Sequence, residues 1–285
     1  MTALAGPRTG GTAAPTTGGD PRRAGGTTLQ RTLRSFEHQV LLYRRTWRGT
    51  IIEGSLAPIL FLLAMGVGLG GYVDRSSGGV GGVPYLVFLA PGLMAANMMQ
   101  TAASEGTFPI MGGFVWTRRF HAMHSAPLEP DDIALGHLLF VTVRLLMVGT
   151  IFVIVMLGFG VVQSPAIVLA IPAATLTGLA FNAPISAYAA TRKTMTSFNY
   201  IFRFAITPLF LFSGTFFPVD QLPAFIRPIA YITPLYHGVA LTRSLALGTA
   251  FADPGIALVH LVVISLFAGG GIVLTLLAFR RRLGI

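Results

Sequence analysis

Residues 133–160 read IALGHLLFVTVRLLMVGTIFVIVMLGFG. A single charge, Arg144, interrupts the run. A helix rises 1.5 Å per residue, so about 20 apolar residues cross a hydrocarbon core of about 30 Å. This stretch is long enough. Five others repeat the pattern: 51–70, broken by Glu53; 84–104, ending beside Glu105; 165–190; 199–217, with Arg203 near its start; and 256–279. A soluble core seldom needs even one such run. Six of them in 285 residues predict an all-α polytopic membrane protein with six transmembrane helices.

Composition agrees. The chain is 53% apolar and only 11% charged, against about 25% charged for an ordinary soluble protein. Mean hydropathy is +0.70. Disorder of most of the chain is excluded, because disorder requires low hydrophobicity. The absence of Cys removes disulfides, cysteine nucleophiles and Cys-based zinc sites.

The net charge of +10 fits either nucleic-acid binding or the inner face of a membrane protein. Position decides between them. With six spans both termini share a side, together with the 105–132 loop and the Arg192–Lys193 turn. That side carries 15 of the 20 basic residues, and the other side only Arg75, Arg227 and Arg243. By the positive-inside rule both termini are cytoplasmic, in the inner membrane. The basic face is then a partner for anionic membrane lipid, with no nucleic acid required.

Outside the spans, residues 1–28 are rich in Gly, Thr, Pro and Ala and read as a flexible cytoplasmic tail without a signal-peptide core. In 29–49, Leu33, Phe36, Val40, Tyr43 and Trp47 recur every three or four residues among five arginines. This predicts an amphipathic helix lying in the inner interface. Residues 218–245 are apolar but contain Pro218, Pro223, Pro228 and Pro234, which exclude a straight span. Two short re-entrant helices and a hydrophobic external loop both fit.

No phosphate-binding loop of the GxxxxGK[ST] type is present, so an ATPase driving this protein would be another chain. His121 and His124 with Glu129, Asp131 and Asp132 make a weak metal pattern; capping of the third span by an aspartate is the simpler reading. His137 is expected at the interface. The intramembrane charges Glu53, Arg144 and Arg203 are better functional candidates, since a mid-membrane charge costs about 2.5–3.5 kcal/mol and normally faces protein or water. Arg144 has Glu53 and Glu105 as candidate partners in its half of the membrane. A packing ion pair and a gating or solute-facing role are both open. No pair of catalytic groups is evident.

The stretch ITPLFLFSGTFFPVDQLPAFIRPIAYITPLYHGVALTRSLALG, residues 206–248, resembles the C-terminal signature of ABC-2 type exporter permeases, most closely their nodulation-factor export and daunorubicin-resistance branches. FLAPGLMAANMMQTAASEG, WTRRF and SAPLEPDDIALG in 88–136 are similar to their second span and cytoplasmic connection. The resemblance covers about residues 30–282, everything but the tail.

The resemblance implies a transmembrane domain over 50–282, preceded by a connecting helix at 29–49, with a coupling helix near 106–124 and a re-entrant hairpin at 218–245. It implies an exporter of an amphiphilic solute (a drug, a lipid or a lipid-linked glycan) working with a second permease copy or paralogue and separate P-loop ATPase subunits. ATP and Mg2+ would bind those partners; this chain would hold no cofactor and perform no catalysis. Glu105, Trp116, Arg118 and Arg119 are the implied ATPase-interface residues. Phe216, Phe217, Pro218, Asp220, Leu222 and Pro223 carry the outer motif and are the implied external gate. The alternative is a non-transporting membrane assembly or structural protein that keeps the same fold; a gene neighbourhood without an ATPase would favour it.

Overall fold

The computed structural model describes residues 27–45, 47–126 and 128–284, without the side chains at 50, 51, 53–55 and 57. The predicted tail up to residue 26 and the side chain of Glu53 lie outside the described residues. The described chain is helical apart from turns and one isolated bridge between Val80 and Val83.

Helix α1, Thr28–Tyr43, opens on a capping box in which Thr27 and Gln30 exchange side-chain-to-backbone hydrogen bonds of 3.2 and 3.4 Å. The predicted interfacial helix ends early: the chain turns at Arg44 and Arg45, and Trp47 already begins α2, Trp47–Phe61. A straight helix cannot both lie along a membrane and cross it, so the turn falls where the hydropathy changes. From α2 the helix continues through a π-helical segment, Leu62–Leu69, into α3, Gly70–Ser77. Gly78, at φ 69°, ends it in the left-handed conformation.

Helix α4, Tyr85–Val115, runs well past the predicted end at 104. Much of the stretch expected as a separate coupling helix is therefore the end of α4, and only α5, Arg119–Ser125, stands apart. Helix α6, Pro130–Gly158, has Pro130 in its first turn and Glu129 as N-cap, with Asp131 and Asp132 in the first turn where the helix dipole favours carboxylates. Helix α7, Ile167–Thr191, follows a short turn.

The predicted span 199–217 becomes α8, Thr196–Ile201, a π segment, Phe202–Ile206, and α9, Thr207–Phe212. This helical run is shorter than the other spans. Five helices among the described residues are long and apolar enough to cross a membrane: Pro58–Ser77, α4, α6, α7 and α12, Pro254–Arg282. Between α9 and α12 lie α10, Arg227–Ile232, and α11, Pro234–Leu247. All four prolines of this region sit in turns or first helical turns, where the missing N–H breaks no hydrogen bond.

Helix α7 is the hub, packed against α4, α6, α11 and α12. Its buried face is built from small residues such as Ala170, Ala174, Gly178 and Ala183, which let neighbouring backbones approach. Side-chain hydrogen bonds to main-chain carbonyls tie the bundle: Asn182 donates to Ala102 O at 2.8 Å, and Thr275 to Ala183 O at 2.7 Å. The outer face of α12 exposes Leu258, Val262, Leu266, Val273 and Leu277, and that of α6 exposes Ile154 and Leu157. Such continuous apolar surface is what lipid covers.

Candidate functional site

At the end of the bundle that carries α5 and the C-terminus, α1 lies against α6. Its contact face is polar: Thr32, Ser35 and Gln39 are buried, whereas Leu29, Leu33, Leu41 and Leu42 are exposed. The amphipathic helix thus turns its small polar stripe to protein and its leucines outward, as a helix resting in lipid would. Arg31 donates to Asp132 at 2.7 Å and lies 3.1 Å from Glu129; these carboxylates raise the Arg31 pKa, the hydrogen bond to Asp132 being the largest cause. Asp132 also accepts from the Glu129 N–H at 2.9 Å, which completes the cap of α6. His137, expected at the interface, is instead fully buried, with Nδ1 3.2 Å from Gln39 Oε1. The covering helix α1 removes it from water. Gly136 makes the contact possible, because a Cβ there would sit 2.3 Å from Ser35 Oγ.

Deeper along the same helices, Arg144 of α6 forms an ion pair with Glu105 of α4. Both side chains are largely buried, and the guanidinium carbon of Arg144 lies 5.6 Å from the Tyr43 ring centroid. Of its two candidate carboxylates, Arg144 thus meets Glu105. That places Glu105 inside the bundle rather than on its end surface.

The connection after α4 separates the other implied interface residues. Trp116 is 58% exposed. Arg118 is exposed and is the one described non-glycine residue at positive φ, with φ 49° and ψ 23°. This left-handed conformation costs about 1–2 kcal/mol for a residue with a Cβ. Arg119 folds back: its Nη2 donates to Pro109 O at 3.1 Å, and the guanidinium lies 4.8 Å from the Phe120 ring centroid. Burial lowers its pKa, with the Glu105 charge opposing. Phe279 packs edge to face on both Phe114 and Phe120, which meet each other at a tilt, and the three rings fix α5 to α4 and α12. Arg280 adds two hydrogen bonds to Asp131, one at 2.7 Å, tying the C-terminal helix to the start of α6. His124 uses Nδ1 toward Leu128 O at 3.2 Å, and no group of three potential metal ligands occurs among the described residues.

At the opposite end, the outer-motif residues surround α10 and α11. Phe216 packs against Phe61 and Phe210, with centroids 5.7 and 5.2 Å apart. Phe217 borders a small cluster containing Val219, Leu222 and Ala230. Pro218 precedes a single 3-10 turn, Val219–Gln221. Asp220 accepts the Tyr231 hydroxyl hydrogen bond at 2.7 Å; Leu222 O accepts Arg227 Nε at 2.6 Å; Pro223 O closes the following turn with Ile226 N at 2.9 Å. A cavity of about 180 Å³ lies among Pro218, Asp220, Tyr231, Tyr236 and Arg243.

Arg243 holds this end together. It donates through Nε to Phe88 O at 3.0 Å and through Nη2 to Gly214 O at 2.8 Å, with its guanidinium 3.7 Å from the Phe88 ring centroid. The sequence suggested only an outside charge here. Its role depends on three distant segments converging, which no local pattern announces. Arg203, by contrast, lies exposed on the π segment.

A family model described as ABC-2 type transporter matches residues 32–247, which take in the α4–α5 connection and the 216–223 motif but not α12. Among curated proteins, the chain is 30% identical over 248 residues to Nodulation protein J of Rhizobium leguminosarum bv. viciae, covering 87% of this chain and 93% of that protein. It is 34% identical over 201 residues to Nodulation protein J of Rhizobium leguminosarum bv. trifolii, covering 70% and 75%. It is 22% identical over 198 residues to the inner membrane transport permease YadH of Escherichia coli K12, again covering 70% and 75%.

Proposed function

The chain belongs to the ABC-2 type transporter family, and from that premise we propose that it is the permease subunit of an ATP-driven exporter moving an amphiphilic solute out across the cytoplasmic membrane. The observation that carries this reading is the extent of the family match, which takes in the α4–α5 connection and the outer motif together. Drugs, lipids and lipid-linked glycans all fit an amphiphile; efflux of a toxic compound is one form of such export.

Six crossings with both termini cytoplasmic fit the charge asymmetry. The helical run 196–212 would be the fifth crossing, about 25 Å long at 1.5 Å per residue, short of a core of about 30 Å. Residues 213–217 and the two helices α10 and α11 would complete it as a re-entrant region, whose irregular backbone is tolerable at depth because protein covers it. The carbonyls of Gly214 and Phe88, bonded to Arg243, support that placement.

A separate P-loop ATPase would dock at the basic end, on Trp116, Arg118 and α5, and its closure would be transmitted through α1 and α4. ATP and Mg2+ would be held by that partner. The exposed Arg203 supports a second permease copy or paralogue, because a span cation left facing lipid is costly and a facing subunit removes the penalty. The path for the solute would lie between the two copies, with Phe216, Phe217, Pro218, Asp220, Leu222 and Pro223 at its external gate.

The test is co-purification of the full chain with the P-loop ATPase encoded beside it, followed by ATP-dependent uptake of candidate amphiphiles into inside-out vesicles. A stable complex and ATP-dependent uptake are expected. Arg118→Glu with Arg119→Glu should weaken docking or uncouple hydrolysis from uptake. Absence of a complex with every neighbouring ATPase would overturn the reading.

A further inference from the structure

Four basic side chains converge on one concavity at the α5 end of the bundle. Arg118 comes from the α4–α5 connection and His121 from α5; Lys193 comes from the turn after α7, and Arg282 from the last turn of α12. They line a cavity of about 400 Å³ whose apolar wall is Phe114 and Val115. Phe114 lies beneath two of them: its ring centroid is 5.8 Å from that of His121 and 5.7 Å from the Arg282 guanidinium carbon.

No carboxylate lines this cavity, and none of the four groups makes an ion pair among the described residues. The nearby acids are engaged elsewhere: Glu129 and Asp132 with Arg31, and Asp131 with Arg280. An anion entering the cavity meets the positive charges of Arg118, Lys193 and Arg282, with the imidazole of His121 beside them, and no carboxylate to compete. Guanidinium groups present forked N–H donors suited to phosphate oxygens, and a lysine adds a point charge.

We propose that this cavity binds a phosphate group, with the apolar wall of Phe114 and Val115 receiving the stem that carries it. The cavity's volume lies in the range of small-molecule sites, and it opens at the ends of α4, α7 and α12, where the membrane placement proposed above would put phospholipid headgroups. An acidic surface of the ATPase is the competing occupant. A concave site beside the protruding Trp116 suits a small headgroup better than a protein face. The proposal rests on the membrane placement above but not on transport, so its test requires neither the ATPase nor a solute.

The full-length chain, purified in detergent, is titrated with phosphatidic acid and with phosphatidylcholine and read by native mass spectrometry. Retention of phosphatidic acid over phosphatidylcholine is expected. In Lys193→Gln with Arg282→Gln it should fall about tenfold or more, given about 1 kcal/mol for each well-placed cation near anionic lipid. Arg45→Gln with Arg48→Gln, which removes two charges of the same basic face outside the cavity, should lower it far less. Inorganic pyrophosphate is the second arm. Binding of pyrophosphate without selective lipid retention assigns the site to a free phosphate, and lipid retention that pyrophosphate does not displace assigns it to a headgroup.

A photoreactive phosphatidic acid provides a readout independent of the substitutions, and should label 114–121, 192–193 and 282. Equal retention by both double variants overturns the proposal. So does labelling confined to α1, or an ATPase cross-linked into the cavity with neither phosphate probe bound.

Discussion

Arg144 of α6 and Glu105 of α4 form a largely buried ion pair across two helices that the chain separates by the whole α5 connection. Both groups lie in predicted membrane segments or at their edge, and α1 covers the pair through Tyr43. Removing Glu105 takes the carboxylate from Arg144, and removing Arg144 leaves Glu105 with the Arg119 charge and its remaining contacts, in a largely buried setting. Arg144→Met or Glu105→Gln alone should destabilise the protein by about 3–5 kcal/mol. The double variant Glu105→Leu with Arg144→Met should recover most of that loss. Thermal unfolding in detergent gives the stabilities, and a double variant no better than its singles would exclude direct pairing. Vesicle uptake by a stable double variant then separates packing from gating: retained uptake assigns the pair to packing.

The contact of α1 with α6 depends on the missing side chain of Gly136. A Cβ there would lie 2.3 Å from Ser35 Oγ and 2.5 Å from its Cβ. Gly136→Ala should push α1 outward and destabilise by about 1–3 kcal/mol. Ser35→Gly in the same chain should restore much of it. Limited proteolysis after Arg44 and Arg45 reports the displacement, and unchanged cleavage in Gly136→Ala would contradict the contact.

Arg118 combines an unfavourable backbone conformation with an exposed side chain. Glycine enters the left-handed region freely, offset by its greater entropy when unfolded. Arg118→Gly should therefore leave stability unchanged or raise it by up to about 1 kcal/mol, while ATPase docking weakens. Chemical denaturation and co-purification measure the two effects. A variant that docks normally would show that the residue serves only the turn.

At the α10–α11 end, Arg243→Met takes the guanidinium donors from the carbonyls of Phe88 and Gly214, of which Phe88 O keeps only its place in the α4 ladder. Hydrogen bonds from a charged group contribute about 1.5–3 kcal/mol each. Lysine cannot reproduce the fork, so Arg243→Lys should behave nearly as badly. The chain has no cysteine, and Ser213 is 1% exposed, so Ser213→Cys is a clean reporter. Its thiol should be protected in the otherwise native chain and labelled rapidly with either Arg243 variant. Equal labelling rates would show that Arg243 does not hold the 213–217 loop.

Much of the fold was legible in the sequence because insertion in lipid demands long apolar helices. The runs around 133–160 and 256–279 appear in the structure as α6 and α12 with small shifts at their ends. The prolines at 218, 223, 228 and 234 marked the broken outer region for an equally local reason. Helix ends were less legible: α4 reaches Val115 because its last turns pack on Phe120 and Phe279, which lie beyond it in the chain.

Hydropathy, proline spacing and charge asymmetry are properties of consecutive residues, so the sequence alone specified an all-helical membrane protein with a basic end and a proline-broken region. Which polar groups meet is a property of distant segments. Only the tertiary structure paired Arg144 with Glu105, buried His137 under α1, turned Arg243 onto Phe88 and Gly214, and gathered Arg118, His121, Lys193 and Arg282 around Phe114. A buried polar atom or an uncompensated cation is set by what packs against it, and residues far away in the chain do that packing.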